Sequence, residues 1–226
     1  MSRLIQALKP FASCDIGDAL VKLKYPFGGY LDGISIWSPT RRGNGGNTTI
    51  IGPAVTVKMV EASDTTSPKS SKHFADANEP GKVLYISQPK GMYSACFGGL
   101  MGARSKSVGA AGVVIDGRFR DIAEIQGMGL PLFARGNSIL GSNTFTRASE
   151  LNVPVQFKDD LWVNPDDILV GDEDGVVVVP PSLVDQVVEI CKERKEIDDN
   201  MMKALEEGME MGTAMKKFRK PADQAK

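Results

Sequence analysis

Val113-Val-Ile-Asp-Gly-Arg-Phe-Arg-Asp-Ile-Ala-Glu124 is the second half of the segment from Gly98 to Glu124, which decides the fold of this chain. Its three apolar residues, Val113 to Ile115, predict a buried strand that stops at Asp116-Gly117. Four charged residues follow, Arg118, Arg120, Asp121 and Glu124, and the last of them ends the stretch. Open α/β sheets place their ligand sites where strands end. The stretch therefore predicts an α/β protein with a functional site directly after this strand.

The charged residues after this strand carry two interpretations. Asp121 and Glu124 are three positions apart, so both carboxylates lie on one face if a helix starts here. Adjacent carboxylates repel unless a positive charge lies between them, and a hard divalent cation suits that place. Arg120 adds a planar fork suited to a carboxylate. In the other interpretation Asp121 is an N-cap and Glu124 completes a capping box, which leaves Arg120 and the glycines upstream unexplained.

Length and composition restrict the class of protein. The chain has 226 residues, a net charge of −1 and 24% charged residues, which gives no electrostatic reason to expect nucleic acid or an anionic membrane as partner. No apolar run reaches the roughly 20 residues of a membrane span, and the first residues do not read as a signal peptide. The three cysteines form no C-x-x-C pair. Reduced thiols in a cytoplasmic protein are expected.

Periodicity and turn residues predict alternating strands and helices in one α/β domain over residues 1–226, with a C-terminal helix and tail from about residue 182. Helices are predicted from Ser13 to about Lys24, after Gly98-Gly99, and from Ser182, with Ser13 and Ser182 as caps. A loop is predicted at Arg41–Asn47. Strands are predicted at Ala54–Val60, Lys82–Ser87, Val113–Ile115, Leu130–Ala134, Val153–Phe157, Asp167–Val170 and Val176–Val179.

The glycine cluster introduces a family resemblance. Gly98-Gly-Leu-Met-Gly102, the span from Leu100 to Phe119 and then Arg120-Asp121-x-x-Glu124 resemble a G-x20-R-D-x2-E signature. This signature marks one branch of the family of the regulator of ribonuclease E activity A and 4-hydroxy-4-methyl-2-oxoglutarate aldolase. Four further segments resemble sequences of the same family: Asp15-Ile-Gly-Asp-Ala-Leu20, Ala95-Cys-Phe-Gly-Gly-Leu-Met101, Leu130-Pro-Leu-Phe-Ala-Arg-Gly136 and Gly171-Asp-Glu-Asp-Gly-Val-Val-Val-Val-Pro180.

The resemblance implies a compact β-β-α sandwich, like the swivelling phosphohistidine domain of phosphoenolpyruvate-using enzymes, assembled into homotrimers or homohexamers. It implies a metal-dependent lyase, a pyruvate aldolase and oxaloacetate decarboxylase that acts on small 2-keto acids through a pyruvate enolate. The expected cofactor is Mg²⁺, with Mn²⁺ as the alternative. Asp121 and Glu124 are the expected metal ligands and Arg120 the catalytic clamp. Gly98, Gly99, Leu100, Met101 and Arg120 are expected to bind the substrate, with the amides of Leu100 and Met101 holding its carboxylate.

Two points of the resemblance concern the metal site in particular. The best-known aldolases of this family carry an aspartate at the position of Gly99, so Glu124 is expected to supply the missing carboxylate from the helix that follows. The family also completes its metal site with a glutamate from a neighbouring subunit, and Glu196 is the nearest match in this chain, with Glu193 and Asp198 as rivals. A run of acidic residues on one helix face is otherwise an ordinary solvated surface.

Other functions and other candidate residues stay open at this stage. One branch of the family binds and inhibits a ribonuclease, a role that requires no metal at Asp121, and a metal-free structural oligomer would need only the capping interpretation. His73 is the single histidine, which favours a structural role over a histidine-based metal site or triad. Asp116 is expected to cap the turn at Gly117 or to order the site. Asp172 to Gly175 predicts a hairpin turn.

Overall fold

The computed structural model describes residues 1–39 and 48–219, and the loop predicted at Arg41–Asn47 lies outside them. Within these ranges the α-helices are α1 (Ser2–Leu8), α2 (Ser13–Lys22), α3 (Gly99–Val108), α4 (Ile122–Met128), α5 (Val184–Glu206) and α6 (Met211–Phe218). The strands are β1 (Ser35–Ser38), β2 (Ile50–Glu61), β3 (Val83–Ser87), β4 (Gly112–Phe119), β5 (Leu132–Asn137), β6 (Thr146–Leu151), β7 (Val155–Lys158), β8 (Leu161–Val163), β9 (Ile168–Gly171) and β10 (Val176–Val179).

The main sheet combines a parallel centre with antiparallel edges. In the described residues its order is β1-β5-β4-β3-β2-β9-β10, and β6 pairs with β2 outside this path. Strands β2, β3, β4 and β5 are parallel neighbours, and α3 and α4 connect the last three of them as crossover helices. Strands β7 and β8 form a separate two-stranded ribbon. The carboxyl ends of β3, β4 and β5 therefore meet at one edge of the sheet.

Three apolar clusters hold the layers together. The first packs one face of the parallel strands against α4, through residues such as Ile115 and Ile125. The second joins the opposite face, which includes Phe133, to Phe157 and its neighbours on the β7–β8 ribbon and to β10. The third covers the outer face of the β9–β10 pair with α1, α2 and α5. The order ribbon, sheet, helix is a β-β-α sandwich, so the predicted fold class is confirmed.

Strand β4 is longer than the sequence predicts. It continues from Gly112 to Phe119 instead of stopping at Asp116-Gly117, and its pairing with β5 shifts register between Ile115 and Arg118. A register shift of this kind bends a strand and redirects the residues after it. The pairing resumes at Arg118 and Phe119, so Arg120 and Asp121 follow immediately after the end of a bent strand.

Both predicted serine caps are wrong in detail. Ala12 is the N-cap of α2, and Ser13 is the first helical residue. Its Oγ and its backbone amide instead donate to the two carboxylate oxygens of Asp172, at 2.6 and 2.7 Å. At the last long helix, Pro181–Leu183 forms a 3₁₀ turn and Leu183 is the N-cap, without a side-chain cap. A distant carboxylate and a 3₁₀ turn thus replace the local serine caps.

Three further predictions concern the turn between β9 and β10, membrane-spanning helices and the number of domains. Gly175 has φ of +151° in the turn between β9 and β10, so the predicted hairpin at Asp172 to Gly175 is confirmed. Among the helices of the described residues, none is long and apolar enough to cross a membrane. The assignment of residues 1–226 to a single domain stays a prediction.

Candidate active site

A cavity of about 90 Å³ lies where the carboxyl ends of β4 and β5 meet the start of α3. It brings together three segments that are far apart in sequence. The lining residues are Ala95, Cys96, Phe97, Gly98, Gly99, Leu100, Met101, Arg120, Asp121, Gly141 and Ser142. Most of the residues that the sequence singles out therefore share one small cavity. Its position follows the rule that α/β sheets bind ligands beyond the carboxyl ends of their strands.

Asp121 has a backbone conformation that few non-glycine residues adopt. Its φ and ψ are 65° and 48°, in the left-handed region that asparagine and aspartate tolerate best. It stands at the N-cap of α4, yet its side chain makes no capping hydrogen bond to that helix. One carboxylate oxygen, Oδ2, instead accepts a hydrogen bond from the backbone amide of Gly99 at 2.8 Å. The capping-box interpretation of Asp121 and Glu124 is therefore wrong.

The space beside Gly99 is occupied by the side chain of Glu124. A Cβ placed on Gly99 would stand 1.8 Å from Oε2 of Glu124 and 3.5 Å from Oδ2 of Asp121. Both carboxylates thus converge on the space that a side chain at position 99 would fill. Glu124 lies in the first turn of α4, so its carboxylate reaches across to the start of α3. The role of Glu124 in place of an aspartate at position 99 stays a prediction.

Arg120 borders the same cavity. Its Nε lies 3.6 Å from Oδ2 of Asp121, and 46% of its side chain is exposed. A Cβ on Gly141 would stand 3.1 Å from an Nη atom of Arg120, so the guanidinium extends along the loop that follows β5. An ion pair this long and this exposed contributes little to stability. The fork of Arg120 is therefore available to an anion in the cavity.

Helix α3 directs its first backbone amides into the cavity. The first amides of an α-helix have no acceptor within the helix, and the helix dipole favours negative charge at this end. Gly98 is the N-cap and offers no side-chain acceptor, and the Gly99 amide donates to Asp121. Leu100 and Met101 belong to the same first turn and line the cavity. Such a helix start is suited to a carboxylate or phosphate group.

The thiol in the cavity wall is not a nucleophile at neutral pH. Cys96 is fully buried, and burial raises its pKa to about 12. A thiol whose pKa is raised in this way stays protonated at neutral pH and is a weak nucleophile. The groups left for chemistry are the two carboxylates, the guanidinium and the amides at the start of α3.

The donor set suits a hard divalent cation with few protein ligands. Across residues 1–39 and 48–219 no group of three or more histidine, cysteine, aspartate or glutamate side chains is arranged to hold a metal ion. Asp121 and Glu124 nevertheless present two carboxylates to one space that a Cβ would fill. Mg²⁺ binds through one or two carboxylates and keeps several waters. The two residues therefore fit such an ion without a closed protein cage.

The structure separates the remaining candidates from this cavity. Glu196 lies in a groove between α1 and α5 that shares no lining residue with the cavity, and its role toward a neighbouring subunit stays a prediction. Nδ1 of His73 accepts the amide of Ala75 at 3.2 Å and caps a 3₁₀ turn, which is a structural role. Asp116 does not cap its turn. Its buried carboxylate accepts a hydrogen bond from Arg135.

Sequence reasoning missed one segment of the cavity. Gly141 and Ser142 line it from the loop after β5, and neither was singled out. The signal that could have found them is the run of glycine, serine and asparagine directly after the apolar strand. Because β4 and β5 are parallel neighbours, their carboxyl ends lie side by side, and both connecting loops reach the same edge.

The fold and the cavity define a class of α/β proteins: a sandwich in which a glycine-led helix start faces an arginine and two carboxylates at the edge of a parallel sheet. The RraA-like family, described as Aldolase/RraA, matches residues 13–178. The chain belongs to this family. The resemblance drawn from the G-x20-R-D-x2-E text is therefore confirmed.

Relatives of two kinds resemble the chain. One from Halalkalibacterium halodurans is 30% identical over 179 residues, covering 79% of this chain and 82% of the relative. One from Albidiferax ferrireducens is 34% identical over 180 residues, covering 77% and 98%. Both are provisionally named 4-hydroxy-4-methyl-2-oxoglutarate aldolase. A crystal structure from Streptomyces coelicolor, titled as an unusual member of the RNase ES inhibitor RraA protein family, has a TM-score of 0.73 and 25% identity over 88% of this chain and 95% of that one.

Proposed function

We propose that this protein is a divalent-metal-dependent lyase that breaks the C–C bond next to a 2-keto acid, as a pyruvate aldolase with oxaloacetate decarboxylase activity. The observation that carries the proposal is the convergence of Asp121 and Glu124 on one space at the start of α3. The aldolase names of the two bacterial relatives support the same reaction class. Both reactions release pyruvate, so one cavity can serve both.

Substrate binding is assigned to the groups that prefer a carboxylate. The amides of Leu100 and Met101 would donate to the carboxylate of the 2-keto acid, with the helix dipole favouring its charge. Arg120 would pair with the remaining negative charge through its planar fork, because bidentate pairs are stronger and more directional than single contacts. The substrate would thus lie between α3 and the loops that follow β4 and β5.

Asp121 and Glu124 would hold the divalent cation, Mg²⁺ or Mn²⁺. When bound there, such a cation supplies Lewis-acid polarisation of the 2-keto oxygen. The hydrogen bond from the Gly99 amide holds Oδ2 of Asp121 in place, so the carboxylate is oriented before any ligand arrives. The left-handed backbone of Asp121 costs of order 1 kcal/mol or more, and such strain is characteristic of functional sites.

The decarboxylation of oxaloacetate makes modest demands on the protein. The C3–C4 bond breaks, its electron pair enters the C2–C3 enolate of pyruvate, and the leaving carboxylate departs as CO₂. A proton from water then adds to C3. No protein base is needed in this sequence. The chain's own contribution is orientation and charge complementarity, with Arg120 offsetting the negative charge that develops next to it.

A second candidate function comes from another class. The structural neighbour from Streptomyces coelicolor is titled as a member of an RNase inhibitor family, which favours a protein-binding regulator of a ribonuclease. Such a role would use exposed surface and would not require Asp121 to keep its charge. The two functions therefore differ in their dependence on that carboxylate.

The test is pyruvate release from oxaloacetate, measured with Mg²⁺ and then with excess chelator. Asp121→Asn is the matched control, since asparagine tolerates the left-handed backbone and can still accept the Gly99 amide. It also corrects for decarboxylation by free Mg²⁺ in the buffer. The proposal expects a rate that needs both the metal and Asp121. A wild-type rate equal to that of Asp121→Asn would refute it and favour the regulator.

A further inference from the structure

We propose that Gln88 is a positioning residue that holds the two halves of the candidate active site in register. The proposal rests on the proposed function, since it assigns Gln88 to the same reaction. One half is the segment from Ser94 to Gly99, which leads into α3, and the other is the end of β4 with Arg120 and Asp121. Gln88 lines no part of the cavity, so it acts only through these segments.

The side chain of Gln88 joins both halves with separate hydrogen bonds. It is 4% exposed. Its Nε2 donates to the carbonyl of Ser94 at 2.9 Å, and its Oε1 accepts from the amide of Arg118 at 2.9 Å. An amide side chain provides one donor group and one acceptor, and both are used here. Gln88 thus joins the start of one half to the start of the other.

Three further hydrogen bonds continue this connection toward the cavity. The Cys96 amide donates to the carbonyl of Arg118 at 2.8 Å, and the Arg120 amide donates to the carbonyl of Phe97 at 3.0 Å. The Gly99 amide then donates to Oδ2 of Asp121. The two segments therefore run side by side from Gln88 to the carboxylate of Asp121, joined by successive hydrogen bonds. The bonds of Gln88 are the first in this series, and a displacement of the segments there would also displace the groups that form the later bonds.

The β4 strand leaves room for this side chain at one position. A Cβ on Gly117 would stand 2.4 Å from Oε1 and 2.6 Å from Cβ of Gln88. Glycine is therefore required at position 117 while Gln88 occupies this place. Gly117 lies in the register shift between Ile115 and Arg118, and register shifts of this kind bend a strand. The bend, the glycine and the buried amide form one local arrangement that aims Arg120 and Asp121.

The test compares Gln88→Met with Thr56→Val. Methionine keeps the length of glutamine and loses both hydrogen bonds. Thr56 is equally buried, and its Oγ1 donates to the carbonyl of Val153 at 2.6 Å, away from the cavity. Thr56→Val therefore removes a buried hydrogen bond without touching the two halves. Both variants are measured well below their unfolding temperatures, so that loss of stability alone changes neither kcat nor KM.

Two measurements decide the proposal. The first is hydrogen exchange at the amides of Cys96, Gly99 and Arg120. The hydrogen bonds of these amides cross between the two halves and go to acceptors other than Gln88. Gln88→Met is expected to accelerate exchange at all three, and Thr56→Val at none. The second is pyruvate release, where kcat/KM of Gln88→Met should fall at least about tenfold below that of Thr56→Val, since small misplacements at active sites cost up to about 100-fold.

The outcomes separate this proposal from the proposed function. Unchanged exchange at the three amides in Gln88→Met overturns it, whatever the activity. Faster exchange with kcat/KM within about twofold of Thr56→Val also overturns it, because the register would then not matter for catalysis. If wild-type protein releases no pyruvate, the proposed function fails, and exchange alone then decides whether Gln88 holds the two halves in register.

Discussion

Substitutions at Gly99 and Glu124 are predicted to have coupled effects, because side chains at the two positions would enter the same space between α3 and α4. A Cβ on Gly99 would overlap Oε2 of Glu124 at 1.8 Å, while Oδ2 of Asp121 would be at an ordinary 3.5 Å. Gly99→Asp alone would displace the carboxylate of Glu124, which is the end of an exposed, flexible side chain. It also adds a like charge. Glu124→Ala empties the space and removes one of the two candidate metal ligands. In the double variant, the aspartate can enter the vacated space and restore a carboxylate beside Asp121.

The magnitude follows from two sites that share one ion and one space. The coupling energy between Gly99→Asp and Glu124→Ala is expected to be about 1–3 kcal/mol in metal binding, or roughly five- to 150-fold in the dissociation constant. Glu124→Ala should bind Mg²⁺ much more weakly than wild type, and Gly99→Asp should recover part of the loss in that background. The recovery should be partial, since the shorter side chain starts from α3 instead of α4.

The assay is titration calorimetry with Mg²⁺ on wild type, both single variants and the double variant, together with their thermal unfolding. Glu124→Gln is the control that keeps the size of the side chain and removes its charge. Combining Gly99→Asp with Glu124→Gln separates crowding from charge repulsion, because the amide is as large as the carboxylate and carries no charge. Strictly additive effects on Mg²⁺ affinity, or wild-type affinity in Glu124→Ala, would refute the reasoning and leave Glu124 as an ordinary residue of the first turn of α4.

Three more predictions concern Asp121, Arg120 and the contact between Asp172 and the start of α2. Asp121→Asn should keep the unfolding temperature within a few degrees of wild type and lose metal-dependent pyruvate release, since a neutral amide is a poor ligand for a hard cation; wild-type turnover in this variant would exclude a metal role for the carboxylate. Arg120→Lys should lower kcat/KM by at least about tenfold because the bidentate fork is lost, and a change within about twofold would mean that charge alone suffices. Asp172→Ala should lower the free energy of unfolding in urea by about 1–2 kcal/mol, since it removes two hydrogen bonds to the start of α2 and one to the amide of Asp174. Asp160→Ala is the control, because Asp160 is exposed, and it should have a much smaller effect.

Features that depend on neighbours in sequence were predictable. The apolar run at Val113–Ile115 is a buried strand, and the glycine pair at Gly98-Gly99 precedes a helix. The apolar run Val176–Val179 has the bounds that periodicity predicts. These features follow from local side-chain patterning, which determines which backbone conformation can bury its apolar groups. The spacing of Arg120, Asp121 and Glu124 likewise predicts that the three lie together, because residues so close in sequence remain close in any fold.

Contacts between distant segments were decided only by the tertiary structure. Asp121 has the sequence of an N-cap, yet its carboxylate binds the Gly99 amide of another helix. Ser13 has the sequence of a cap and instead donates to Asp172, a residue 159 positions away. In both cases the local sequence identifies a polar group that needs a hydrogen-bond partner. Which partner lies within reach depends on how distant segments pack. The same holds for the space beside Gly99. The sequence identifies a glycine and a glutamate, but only the packing of α3 against α4 makes them compete for one place.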